Sequence, residues 1–124
     1  MGFLQINKMY EFSPYIRENT AFFKKLASTK SDKRKNDLLN DATAEQILGL
    51  VEICANILKF NFILNTRQKR RLAQYADFYR SIARSRSEKT ARKKLQKGSG
   101  IALGVILIPV LSVLAQHLLE KITS

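Results

Sequence analysis

Apolar positions recur at helical spacing through the middle of the chain. Ile47, Leu50, Val51, Cys54, Ile57 and Leu58 fall within an arc of about 120° when wound onto a helix. Thr43 followed by Gln46 fits a capping box, in which each side chain satisfies a free backbone N–H of the other residue. Together they predict a helix over 43–60. Leu72, Tyr75, Ala76, Tyr79, Ile82 and Ala83 span a similar arc and predict one long helix from Thr66, as its cap, to Arg84. Between the two, Asn61 to Asn65 reads as a short connection, with Phe62, Ile63 and Leu64 as an apolar plug.

The flanks are less regular. Ser13-Pro14 suits a helix start, and Ile16, Phe23, Leu26 and Ala27 share a face as far as Ser28. Lys30 to Asn36 is polar and basic and reads as a loop. Ser87 is placed to cap a short helix, EKTARKKLQK, that ends at Gly98. No segment alternates convincingly with period two, and no repeat of fixed period is present. The expected fold is therefore all-α. It is a small helical domain of three to five helices, built on a long amphipathic helix hairpin (43–60 and 66–84), a basic helix and an apolar C-terminal tail helix.

The sharpest change of character falls at Gly98-Ser99-Gly100. Residues 101–115, IALGVILIPVLSVLA, carry no charge. This divides the chain into a basic helical domain, 1–97, and an apolar tail, 98–124. A membrane-spanning helix needs about 20 mainly apolar residues, so the segment is borderline, and Pro109 would kink it. Two readings stand side by side. In one, Ile101, Leu103, Val105, Ile106, Leu107, Ile108, Val110, Leu111 and Leu114 meet a membrane; in the other they are buried, either as a C-terminal helix in a small core or against a protein partner.

Charge then changes the picture. The 124 residues hold 22 Lys+Arg against 10 Asp+Glu, for a net charge of +12. Residues 67–97 alone hold twelve cations and only two acids, Asp77 and Glu88. Arg67, Lys69, Arg70, Arg71, Arg80 and Arg84 lie on one side of the expected 66–84 helix. Arg86, Lys89, Arg92, Lys93, Lys94 and Lys97 follow. Cations at this density reach phosphate oxygens and release condensed counterions, so a polyanion is the expected partner. The competing reading is a solvated charged face, but such a face usually mixes signs. No helix-turn-helix, zinc-finger or zipper pattern is present, so reading of base sequence is not expected.

Other chemistry is narrowed by counts. One Cys and one His give no disulfide framework and no multi-Cys or paired-His metal centre. No Gly-rich phosphate loop occurs. No nucleophile–base constellation can be assembled, so an enzyme is not expected, nor is a cofactor or metal. Cys54, amid an apolar face, reads as a small core residue. The start of the chain lacks the pattern of a secretory signal peptide.

The stretch from Ile53 to the end carries a resemblance. Its most specific parts are Cys54-Ala55-Asn56-Ile57-Leu58, Asn61, Gln68-Lys69-Arg70, Leu72 and Tyr75, then a basic run ending KKLQKGSG and an apolar terminus. This resembles small basic proteins of Polinton/Maverick elements and the related adintoviruses. It is more distantly similar to the precursor of the adenovirus DNA-condensing core peptide. The pattern departs at Phe60, where the family has Gly, and at Ser99, which interrupts the Gly cluster of Gly98 and Gly100. Leu95 also lies one residue too far from Gly98 for a clean maturation-protease site.

The resemblance implies a virion core or minor capsid component that packages double-stranded DNA. Lys69, Arg70, Arg71, Lys93, Lys94 and Lys97 are the matching basic positions. The location implied is the virion or host nucleus. Capsid proteins, a membrane reached through the tail and further copies of this chain complete the expected partners. The alternatives are a membrane-active protein whose tail inserts, and a cellular RNA-binding protein.

Overall fold

In a computed structural model, residues 13–59, 64–98 and 100–123 are described; for Ile101 and residues 113–123 only the backbone is. Eight helices and no strand occur among the described residues. They are α1 (Pro14–Glu18), α2 (Thr20–Ser28), α3 (Asp32–Asp41), α4 (Ala44–Lys59), α5 (Thr66–Gln74), α6 (Ala76–Ala83), α7 (Glu88–Lys97) and α8 (Gly100–Thr123). The all-α fold agrees with the hydrophobic pattern. The number of helices exceeds the three to five expected, for three local reasons.

The first reason is a break at Asn19. Its N–H reaches the Ile16 carbonyl, and the Thr20 hydroxyl donates to the Arg17 carbonyl at 3.0 Å. The second is a break at Tyr75 (φ −116°, ψ 14°), whose N–H turns back to the Leu72 carbonyl. The expected 66–84 helix is thereby two. The third is α3, which replaces the loop expected over Lys30 to Asn36. Ser31 caps it by accepting from the Arg34 N–H, and Asp32 sits favourably in its first turn. Its buried face is Lys35 and Leu39. The apolar pattern fails there because a lysine stem occupies a core position, its ammonium donating to the Gly100 carbonyl.

Helix α4 lies at the centre and packs against α1, α6, α7 and α8. Its capping box is as expected: the Thr43 N–H donates to Gln46 Oε1 at 2.9 Å, and the Gln46 N–H to Thr43 Oγ1 at 3.1 Å. Contact on several sides widens its buried arc. Ile53 is buried along with Ile47, Leu50, Cys54 and Ile57, while Val51 and Leu58 are only partly buried. Of the expected hairpin partner, α6 lies along α4, whereas α5 packs against α8. Helix α5 starts one residue earlier than expected. Asn65 rather than Thr66 is its cap, in a complete capping box with Gln68. Leu64 is buried as part of the expected plug; Phe62 and Ile63 lie outside the described residues.

The division at Gly98 is not a boundary in the packing. Ala102, Leu103, Ile106, Leu107 and Val110 belong to the same core as Ile16, Phe23, Leu50 and Tyr79. Helix α8 packs chiefly on α2, with α4 and α5 beside it. The tail reading is corrected accordingly. Leu103, Val105, Ile106, Leu107 and Val110 are buried in this chain's own core, Leu111 is half-buried, and Ile108 is exposed. The side chains of Ile101 and Leu114 lie outside the described residues. Helices α2, α4 and α5 cover one side of the first half of α8, so Ala102, Leu103, Ile106, Leu107 and Val110 are dry within this chain. Each such side chain contributes about 1.5–3 kcal/mol on burial. Among the described residues no single helix is long and apolar enough to cross a membrane.

Two buried donors fasten the start of α8. The Tyr79 hydroxyl donates to the Ala102 carbonyl at 2.6 Å, and Lys35 holds the carbonyl of Gly100. Gly98, just before, is extended (φ −77°, ψ 164°), not left-handed. Glycine stands there because a Cβ would collide with the Phe78 ring.

Candidate nucleic-acid interface

The twelve cations separate into two kinds. Arg92 and Lys94 are committed to the fold. The Arg92 guanidinium donates through Nη1 to the carbonyls of Leu39, Asn40 and Ala42, at 2.7, 3.1 and 2.8 Å. Its Nη2 pairs with Glu88, one turn back on α7. Those carbonyls end α3 and its link to α4, where a helix leaves acceptors unsatisfied and a cation meets the negative end of the dipole. The Lys94 ammonium likewise donates to the Ser81 carbonyl in the last turn of α6, at 3.0 Å. The expectation that these two face a polyanion is corrected: they are interhelical ties. Their carbonyl partners lie 13 to 53 residues away in sequence, which no local pattern reveals.

Arg80 is exposed and pairs with Asp77 at 3.0 Å, an exposed contact that contributes little. The remaining nine, Arg67, Lys69, Arg70, Arg71, Arg84, Arg86, Lys89, Lys93 and Lys97, are exposed. They form no ion pair among the described residues.

Their placement follows from the buried residues of each helix. Helix α5 buries only Leu72, which leaves Arg67, Lys69, Arg70 and Arg71 outward. Its first turn has no acid. Cations there oppose the helix dipole, and Arg67 faces Arg70 and Arg71 at three- and four-residue spacing, a repulsive arrangement. Helix α7 buries Ala91 and Leu95, which turns Lys89, Lys93 and Lys97 to solvent as a stripe at four-residue spacing. Arg84 and Arg86 occupy the connection between α6 and α7. Helix α3 adds exposed Lys33 and Arg34, missed in sequence because that stretch read as a loop. The Ser31-Asp32 start was the available signal.

Tyr79, Phe78 and Cys54 are packed in or against the core. Tyr79 is fully buried, and burial raises its phenol well above the usual range. Phe78 is half-buried and packs edge-on to Tyr79, with centroids 5.8 Å apart. Burial pushes the Cys54 thiol up to about 12, so it holds its proton at neutral pH and is a poor nucleophile. Burial lowers the pKa of Lys35, partly opposed by Asp32. Among the described residues no group of three or more His, Cys, Asp or Glu side chains could hold a metal ion. No protein-family model matches this chain, and no curated protein or solved structure matches it.

Proposed function

We propose that this protein binds double-stranded DNA without reading its sequence, as a packaging or condensing component of a virus or virus-like mobile element. The observation that carries the reading is the cation cluster of α5. Arg67, Lys69, Arg70 and Arg71 are exposed and have no ion-pair partner among the described residues, and Arg67 lies at the wrong end of the helix dipole and repels Arg70 and Arg71. An external polyanion relieves those costs. The stripe of Lys89, Lys93 and Lys97 and the Arg84–Arg86 connection extend the charge.

The mechanism is charge neutralisation. Neighbouring duplexes repel, and bound cations replace the counterions that screen them. The viral setting rests on the resemblance of residues 53–124 to Polinton and adintovirus proteins. Insertion of the tail into a membrane is disfavoured as a competing mechanism, because 102–110 would have to leave the core.

A salt series of gel shifts tests the proposal on random duplexes, with RNA duplexes and anionic vesicles as competitors. The expected result is sequence-indifferent DNA binding whose affinity falls about 10³-fold or more between 50 and 200 mM salt. No binding at 50 mM salt, a salt-insensitive affinity, or strong preference for RNA or vesicles would overturn it.

A further inference from the structure

A groove of about 310 Å³ lies between the α2–α3 connection, α5 and the outer side of α8. Its lining joins two chemistries. Lys30, Lys35 and Arg71 supply three cations against one carboxylate, Asp32. Gly104, Val105 and Ile108 supply an apolar strip of α8. A smaller hollow of about 60 Å³ shares Arg71, Gly104 and Ile108 and continues the strip to Pro109.

Two details point to an occupant. Ile108 is 58% exposed, the most exposed large hydrophobic side chain among the described residues. Gly104 sits inside a helix, where glycine is a poor choice. At Gly49 the reason for glycine is visible, because a Cβ would meet Phe23 Cζ at 2.8 Å. A Cβ on Gly104 would meet nothing within 4 Å. This bare backbone forms an open floor beside the cations.

We propose that the groove binds a single-chain anionic amphiphile, with its phosphate or carboxylate head on Lys30 and Arg71 and its alkyl chain over Gly104 against Ile108. The excess of cations over carboxylates selects an anion. The apolar strip disfavours a small, fully hydrated one, which would leave it wet. A duplex backbone offers no alkyl chain to lie along α8. The volume is at the lower end of the about 300–1,000 Å³ typical of small-molecule sites. The Lys35 ammonium, already bonded to the Gly100 carbonyl, adds field rather than a free donor. The site is independent of the DNA-binding proposal, although Arg71 belongs to both surfaces.

Calorimetric titration of the full chain with decyl phosphate, below its micelle concentration, tests this. Saturable one-to-one binding is expected, at least tenfold tighter than for inorganic phosphate or decanol. Gly104→Leu fills the floor and should weaken binding tenfold or more while leaving duplex DNA affinity unchanged and thermal melting no lower. Ile108→Gln removes an exposed apolar wall and should weaken it as well, which covers the case in which Gly104→Leu disturbs the helix. Lys30→Gln should weaken binding, and Lys93→Gln, outside the groove, should not. Equal affinity for inorganic phosphate, unsaturable uptake, or decyl phosphate binding untouched by both α8 variants would overturn the proposal.

Discussion

Helices α5 and α7 are both short and strongly basic, yet their charges obey different rules. In α7 two of the cations, Arg92 and Lys94, are ties within the fold. Glu88 opens the helix, Lys94 and Lys97 close it, and Arg92 and Lys94 tie it to the ends of α3 and α6. In α5 no acid opens the helix, and none of its cations has an ionic partner among the described residues. A count of Lys and Arg treats the two alike. The comparison teaches that the informative cations are those whose position the fold does not explain.

Several substitutions would sharpen or break this contrast. The largest effect is expected from neutralising Arg67, Lys69, Arg70 and Arg71 together to Gln. Duplex affinity at 0.1 M salt should fall by about 10³-fold, and the salt slope by about 3.6, at 0.9 per phosphate contact. Circular dichroism should show the helices intact. Full DNA affinity in this variant would end the assignment of α5.

Replacing Lys89, Lys93 and Lys97 by Gln should cost less, roughly a few hundredfold, with a salt slope smaller by about 2.7. Arg92→Ala should act differently again. It leaves three carbonyls and Glu88 without their partner, so urea unfolding should show a loss of about 2 kcal/mol. DNA affinity, measured well below the unfolding transition, should change less than twofold. A large DNA defect in this variant would return Arg92 to the interface.

The smallest effect has the opposite sign. Arg67→Gln removes a cation from the positive end of α5 and should stabilise the protein by about 0.3–1 kcal/mol at low salt, while weakening DNA binding. Loss of stability would mean that Arg67 serves the fold after all.

The sequence made parts of this molecule plain. The helical periodicity of 43–60, the Thr43–Gln46 box and the Ser87 cap are local, and each is where the residues place it. What was hidden depended on distant partners. Helix α3 was masked because its buried position is a lysine whose ammonium reaches Gly100, 65 residues on. At the break at Tyr75 the chain passes from α5, which packs on α8, to α6, which packs on α4, a change of neighbour that periodicity alone does not contain. The first half of α8 read as a tail because its covering helices come from three separate stretches of chain. For the candidate interface, the density of cations was legible. Which of them were already engaged was not, since Arg92 is held by carbonyls 50 to 53 residues away.

The fastening of α8 also bears on when the chain could be cut. A protease draws several consecutive residues into an extended cleft. Here Gly98 is pressed against the Phe78 ring, and Gly100 is buried under Lys35 with Ala102 held by Tyr79. Digestion at this glycine pair therefore requires local opening that frees α8 from the core. Cleavage there would report on the state of the fold: slow on the assembled molecule, and rapid once the last helix has let go.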